Sequence, residues 1–142
     1  MIKKFGTAQW QGDLKTGTGM ISTESGALKN IQYGFKKRFE DEPGSNPEEI
    51  IGAAHAACFS MALSKELGEF DITANAIDAC STITLDKKGG GFAITASHLD
   101  VHVNAEGDET DIKYAAKTAK ENCPVSKLLK ADITMGLKIN EG

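Results

Sequence analysis

The sequence predicts an α+β domain, and three observations predict it. Strand-like segments fill the first third of the chain. A long apolar stretch with a clear helical start follows at Asn46. Two alternating segments, two further helical ones and a last alternating one complete it. The order reads strand–strand–strand–helix–strand–strand–helix–helix–strand. With 142 residues the chain suits a single domain, 1–142, able to bury a small core.

Phe5 to Trp10 and Thr16 to Thr23 carry strand-forming residues, and Gly12-Asp13 separates them as a turn. A third strand is expected through Tyr33 to Phe39. The strongest local signal is Ser45-Asn46-Pro47-Glu48-Glu49. Asn46 is an N-cap, Pro47 occupies the first helical position and Glu49 the third, the spacing of a capping box. The run Ile50 to Leu67 holds no proline, and Gly68 is a stop. Its middle, Gly52 to Leu63, is small or apolar nearly all round, which predicts a helix buried on several sides.

Ala74 to Asp86 alternates. Ile77, Ala79, Ser81, Ile83 and Leu85 share one face, and Asp78, Cys80, Thr82 and Thr84 the other. Lys87 to Gly91 is a turn, and Phe92 to Val103 returns as a strand. Its apolar phase shifts between Ile94 and Leu99, predicting a bulge or bend. Asn104 to Asp111 reads as a polar loop, Ile112 to Asn122 as a helix and Val125 to Leu129 as a short helix started by Pro124. Ile133, Met135, Leu137 and Ile139 alternate as a final strand.

Composition narrows the function. Net charge is −4 and the only basic cluster is Lys36-Lys37-Arg38, so no nucleic-acid partner is expected. The start of the chain lacks the apolar stretch of a signal peptide, and Ile50 to Leu63, broken by His55 and Ser60, is too short for a membrane span. A cytoplasmic protein without a membrane partner is expected. Three cysteines, Cys58, Cys80 and Cys123, make an odd count that argues against a structural disulfide framework.

Two readings of those thiols stay open on residue type alone. All three can be small buried hydrophobes. Alternatively Cys58, set among Ala57, Phe59 and Met61, becomes reactive if a cation stabilises its thiolate, since hydrocarbon surroundings alone raise a thiol's pKa. Arg38 is the candidate cation, or else a surface charge beside Lys36 and Lys37. A buried arginine wants a carboxylate, from Glu48 or Glu49. Around the helix Glu49 falls about 180° from Cys58 and Glu48 about 80°, which favours Glu48. Glu48 and Cys58 are ten residues apart, about 15 Å along a straight helix. Either the helix breaks near Gly52 or Glu48 serves the Cys58 of a second subunit, and the second option predicts a homodimer with sites at its interface.

Cys123 precedes Pro124, where the start of a helix favours a thiolate. Cys80, mid-strand, reads as structural. His55 lies three residues before Cys58, on the same helical face. It could join His98, His102 and the thiols around zinc, or act as a base, but no paired ligand motif supports a metal. Gly89-Gly90-Gly91 lacks the Lys and Ser/Thr of a phosphate loop.

These segments resemble the osmotically inducible protein C branch of the OsmC/Ohr peroxidase family. The resemblance is carried by Ser22 to Gly26, Tyr33-Gly34-Phe35, Arg38-Phe39-Glu40, Asn46 to Glu49, Gly52 to Leu63 and Cys123-Pro124-Val125-Ser126, and it runs from about Trp10 to about Leu137. It implies antiparallel sheets wrapped around two central helices in an intertwined homodimer. It also implies a peroxidatic Cys58, a resolving Cys123, an activating Arg38 and Glu48 as the arginine's partner. The implied activity is reduction of organic hydroperoxides through a Cys58 sulfenic acid and a Cys58–Cys123 disulfide. An external dithiol, a dihydrolipoyl group, would recycle it. No metal, flavin or haem is required. An apolar funnel with walls such as Phe59 and Met61 would favour alkyl peroxides. The rival readings are a protein that binds an apolar ligand and a thiol redox sensor.

Overall fold

The early strand signals resolve into a three-stranded antiparallel sheet in the structure, a computed structural model that describes residues 1–141. β1 (Gly6–Gln11) pairs with β2 (Thr18–Thr23), which pairs with β3 (Ile31–Tyr33). Asp13 closes the β1–β2 turn by accepting from the Thr16 backbone N–H at 2.7 Å and its hydroxyl at 2.6 Å. Gly19 stands opposite both Trp10 and Tyr33, whose ring centroids are 5.6 Å apart. A Cβ at Gly19 would meet both rings inside 3 Å, so only glycine lets them lie across the strand.

The third strand is shorter than expected. It ends at Tyr33, and Phe35–Phe39 is instead a helical turn, α1. One turn brings Phe35 and Phe39 together, with ring centroids 5.1 Å apart, a contact that strand alternation would not give. α2 then spans Pro47–Gly68. Its start is as predicted: Asn46 Oδ1 accepts from the Glu49 N–H at 2.8 Å. The helix is unbroken at Gly52, which removes the break there as a possibility.

The chain divides into two compact units, Met1–Ile50 and Ile51–Gly142. In the second, β4 (Ala74–Lys88) and β5 (Gly91–Ala105) form a long antiparallel hairpin, and β6 (Asp132–Ile139) joins β5. The predicted phase shift is a bulge: Thr84 pairs with Ala96 but Leu85 with Ile94, leaving Thr95 extra. β6 runs parallel to β5, a departure from purely antiparallel sheets. The connection explains it. α3 (Glu109–Asn122) and α4 (Pro124–Leu128) carry the chain back along the sheet, and a helical crossover returns the next strand in the same direction. Asp108 caps α3 by accepting from the Thr110 and Asp111 N–H groups.

One core fills this unit. Phe59, Leu63 and Leu67 of α2 pack with Leu99, Val101 and Val103 of β5 and with Ile112, Ala115, Ala116 and Ala119 of α3. Gly52 sets the approach of α2 to the sheet, since a Cβ there would meet the Ser81 carbonyl oxygen at 2.8 Å. The expectation that α2 is covered on several sides holds for one face only. Gly52, His55, Phe59, Leu63 and Leu67 are buried, whereas Ala53, Ala54, Ala57 and Met61 face outward. Among the described residues no helix is long and apolar enough to cross a membrane.

Candidate active site

α2 presents Cys58 half-buried, three residues past the buried His55. Cys123 arrives from the end of α3, completely buried, where its backbone N–H caps the helix on Ala119 O. The fold thereby joins two thiols 65 positions apart in sequence: they share a hydrogen bond, and both are free. Pro124 turns the chain into α4 directly after Cys123, as the sequence predicts. The Cys123 thiol makes no close capping bond to α4. Looser polar contacts to the Ser126 hydroxyl and to the Val125 and Ser126 N–H groups surround it instead.

These surroundings divide the pair. Burial pushes the Cys58 thiol up, and donating its hydrogen bond to Cys123 pushes it further, against a smaller opposite pull from the Val125 N–H. Burial also acts to raise Cys123. There, however, the polar contacts from Cys58, Ser126 and Val125 outweigh it, and the thiol lies below its ordinary value. Charge alone would make Cys123 the more reactive sulfur. Access decides otherwise, because Cys123 has no exposed surface and Cys58 does.

The other two predicted residues also meet. Arg38, at the end of α1, grips Glu48, in the first turn of α2, with both prongs of its guanidinium. Nε donates to Oε1 at 3.0 Å and Nη2 donates to Oε2 at 3.2 Å. Glu48 is 12% exposed and Arg38 37%, so the carboxylate is held within structure while the guanidinium stays open to solvent. Asn46 ties the same corner together by donating Nδ2–H to the Lys37 carbonyl at 3.3 Å. The Arg38 guanidinium also lies 5.2 Å from the centre of the Phe39 ring. Glu49 stays exposed, in keeping with a capping position. Arg38 and Glu48 belong to the first compact unit, and Cys58 and Cys123 to the second.

Other expectations meet different outcomes. Phe59 is wholly buried in the core, which makes it a packing residue and not a funnel wall, while Met61 is 78% exposed. Cys80 is exposed on the outer face of β4, opposite Asp100. His98 is exposed on the outer face of β5, where it meets Thr134 and Asp100, away from the inward-facing Ser97 and Leu99. Among the described residues no three His, Cys, Asp or Glu side chains gather as a metal site. His55 is the residue that sequence reasoning undervalued. Both ring nitrogens are engaged by buried serines, Nδ1 with Ser97 Oγ at 2.7 Å and Nε2 with Ser126 Oγ at 2.8 Å.

Comparison with known proteins gives the family and the fold. A family profile described as OsmC-like protein matches residues 39–138. The chain is 51% identical over 139 residues to peroxiredoxin OsmC of Escherichia coli strain K12 and to that of Shigella flexneri, covering 97% of each chain. Among solved structures it is similar to the organic hydroperoxide resistance protein OhrB of Bacillus subtilis. That match has 25% identity and a TM-score of 0.70, over 94% of this chain and 98% of that one. An OsmC-like protein of Vibrio cholerae shares the fold at a TM-score of 0.76 with 14% identity, over 96% of this chain and 99% of that one. The sequence match spans the helix that carries Cys58 and the turn that carries Cys123, and the chain belongs to the OsmC-like protein family.

Proposed function

We propose that the protein is a cysteine-based peroxidase that reduces organic hydroperoxides to alcohols. The observation that carries this reading is the pair of free thiols in hydrogen-bond contact, one reachable from solvent and one fully buried. The Cys58 thiolate attacks the peroxide O–O bond, releases the alcohol and becomes a sulfenic acid. Cys123 condenses with it, forming the disulfide and one water. A dithiol such as a dihydrolipoyl group reopens that disulfide by exchange. The names of its relatives, peroxiredoxin OsmC and organic hydroperoxide resistance protein, support the chemistry and the substrate class.

Cys58 needs a cation, because its own unit raises its pKa on balance. Arg38 supplies it, oriented by Glu48. The pair acts on the Cys58 of a second subunit, in a homodimer of single-domain chains working in the cytoplasm. Two features support the dimer. The unbroken α2 leaves the second subunit as the remaining option of the two that the ten-residue spacing allowed. The outward face of α2 carries Ala53, Ala54, Ala57 and Met61, an apolar surface suited to a close helix neighbour.

The test is consumption of cumene hydroperoxide by the reduced protein, followed by non-reducing mass spectrometry. Stoichiometric peroxide loss with a Cys58–Cys123 disulfide is expected, and Cys58→Ser abolishes both. Peroxide left intact over free thiols would sink the reading.

A further inference from the structure

His55 has no part in the peroxidase steps above, yet it is the most elaborately held polar side chain in the core. It has no exposed surface, and neither does Ser97. Ser97 Oγ lies 2.7 Å from Nδ1 and 2.8 Å from Ser81 Oγ, and Ser81 Oγ lies 3.5 Å from Nδ1. On the other side Nε2 lies 2.8 Å from Ser126 Oγ, and Ser126 stands three residues past Cys123 in the first turn of α4, its hydroxyl in looser polar contact with the Cys123 sulfur. Two strands, β4 and β5, and two helices, α2 and α4 with its cap, therefore contribute to one polar run: Ser81, Ser97, His55, Ser126, Cys123. Burying this many polar groups costs stability unless each is satisfied, and a packing role needs no such run, still less one that ends on a thiol.

The run has a direction. A neutral imidazole offers one donor and one acceptor, and each serine has a single O–H. With the proton on Nε2, Ser81 donates to Ser97 and Ser97 donates to Nδ1. Nε2–H then donates to Ser126 Oγ, and the Ser126 O–H is left to point at Cys123. That arrangement suits a thiolate. With the proton on Nδ1 every bond reverses, Ser126 donates to Nε2, and its lone pair accepts from a Cys123 S–H. The tautomer of His55 and the proton on Cys123 are thus coupled through one hydroxyl.

We propose that His55 is a positioning residue for disulfide closure, holding the Ser126 hydroxyl so that it donates to the Cys123 thiolate before and during attack on the Cys58 sulfenic acid. The role rests on the peroxidase reading and deepens it. In the step, the Cys123 sulfur bonds to the Cys58 sulfur and the Cys58 S–O bond breaks. The released hydroxide and the proton given up by Cys123 make one water. The Cys58 sulfur is reduced from the sulfenic to the disulfide level, and Cys123 is oxidised to meet it. Burial also holds His55 below its ordinary pKa, which keeps the ring neutral, as a tautomer-coupled role requires.

The experiment compares wild type with Ser126→Ala, His55→Gln and the hydroxyl-retaining Ser126→Thr in rapid-mixing kinetics with cumene hydroperoxide. Cys58 oxidation and disulfide closure are read separately by quenching and mass spectrometry. In Ser126→Ala and His55→Gln closure should slow by about tenfold and its pH midpoint should rise by about one unit, the equivalent shift. Cys58 oxidation should stay within about twofold, the scale of an incidental effect, and Ser126→Thr should restore closure. Equal slowing of both steps, or closure at the wild-type rate and pH midpoint, would overturn the proposal. A second measurement separates it from the peroxidase reading. In a Cys58→Ser, Cys80→Ser background, the thiolate absorbance of Cys123 is titrated with and without Ser126→Ala. A raised midpoint supports the His55–Ser126 role even if no peroxide reacts, and an unmoved midpoint overturns it.

Discussion

Arg38 holds Glu48 with two parallel hydrogen bonds, Nε to Oε1 at 3.0 Å and Nη2 to Oε2 at 3.2 Å. A two-pronged pair fixes the plane of the guanidinium as well as its place, which a single contact would not. In the proposed site the charge that lowers the Cys58 pKa is therefore aimed, not merely present. Substituting Lys for Arg keeps the charge and loses the fork. Arg38→Lys should slow peroxide reduction by roughly ten- to a hundredfold, about 1.4–2.7 kcal/mol of barrier. Arg38→Ala should cost more and move the pH midpoint of the Cys58 reaction upward, since without a cation burial leaves that thiol high. Glu48→Gln should fall between them. Rates of peroxide consumption against pH decide it, and an unchanged midpoint in Arg38→Ala would remove Arg38 from the site.

His55 gives the fold a dependence on pH. Burial lowers its pKa from the ordinary 6.5, so the unfolded chain takes up a proton at a pH where the folded chain does not. Stability therefore rises with pH where the unfolded state binds more protons. The contribution is complete above about pH 6.5 and is lost as pH falls toward the folded-state value, with a slope of at most about 1.4 kcal/mol per unit for one group. Urea titrations between neutral and mildly acid pH should show that slope in wild type. His55→Gln should flatten it while lowering stability at neutral pH, because Ser97 and Ser126 each lose a well-placed partner. An equal slope in both proteins would mean that another group sets the acid limit.

How much of this was legible depends on whether the information is local. Asn46 and Pro47 marked the start of α2 because capping chemistry lies within three residues. The bulge at Thr95 showed as a phase slip because strand alternation is local too. By contrast, the five-residue α1 is too short to display a helical period, and its two phenylalanines read equally well as strand residues. The parallel pairing of β6 was invisible since alternation carries no direction. Arg38, Glu48, Cys58 and Cys123 were singled out through residue chemistry and resemblance, and the structure pairs Arg38 with Glu48 and Cys58 with Cys123. The serines around His55 were not, because they lie 26, 42 and 71 positions from it in sequence. One signal was available: Ser81 stands on the otherwise apolar inner face of β4, where a hydroxyl needs a partner.

Gly52 tests how tightly α2 is seated. Alanine there would gain up to about 1 kcal/mol of helix propensity. Against that, its Cβ would stand 2.8 Å from the Ser81 carbonyl oxygen, a backbone atom that cannot swing aside. Overpacking of this kind costs about 1–3 kcal/mol, so the loss outweighs the gain. Gly52→Ala should lower unfolding free energy by up to about 2 kcal/mol in denaturant titrations. Displacing β4 at Ser81 should also loosen its 2.8 Å contact to Ser97, so disulfide closure should slow in the same variant. A Gly52→Ala protein more stable than wild type would show that helix and sheet are farther apart than 2.8 Å implies.

Met61 tests the assembly. It is 78% exposed on a helix that is apolar nearly all round, beside the outward-facing Ala54 and Ala57. In a monomer this face would leave hydrocarbon in water, and a charge placed on it would be neutral or favourable. In a homodimer that packs this face against a neighbour, the same charge has to be buried without a partner, at a cost of several kcal/mol. Met61→Asp should therefore keep the circular dichroism of the wild-type chain while halving its mass in light scattering. It should also lose peroxide reduction together with dimerisation, because Arg38 and Glu48 would no longer reach the Cys58 of the other subunit. A Met61→Asp protein that stays dimeric and active would place the dimer contact elsewhere. One that turns monomeric yet reduces peroxide at the wild-type rate would show that each chain activates its own Cys58.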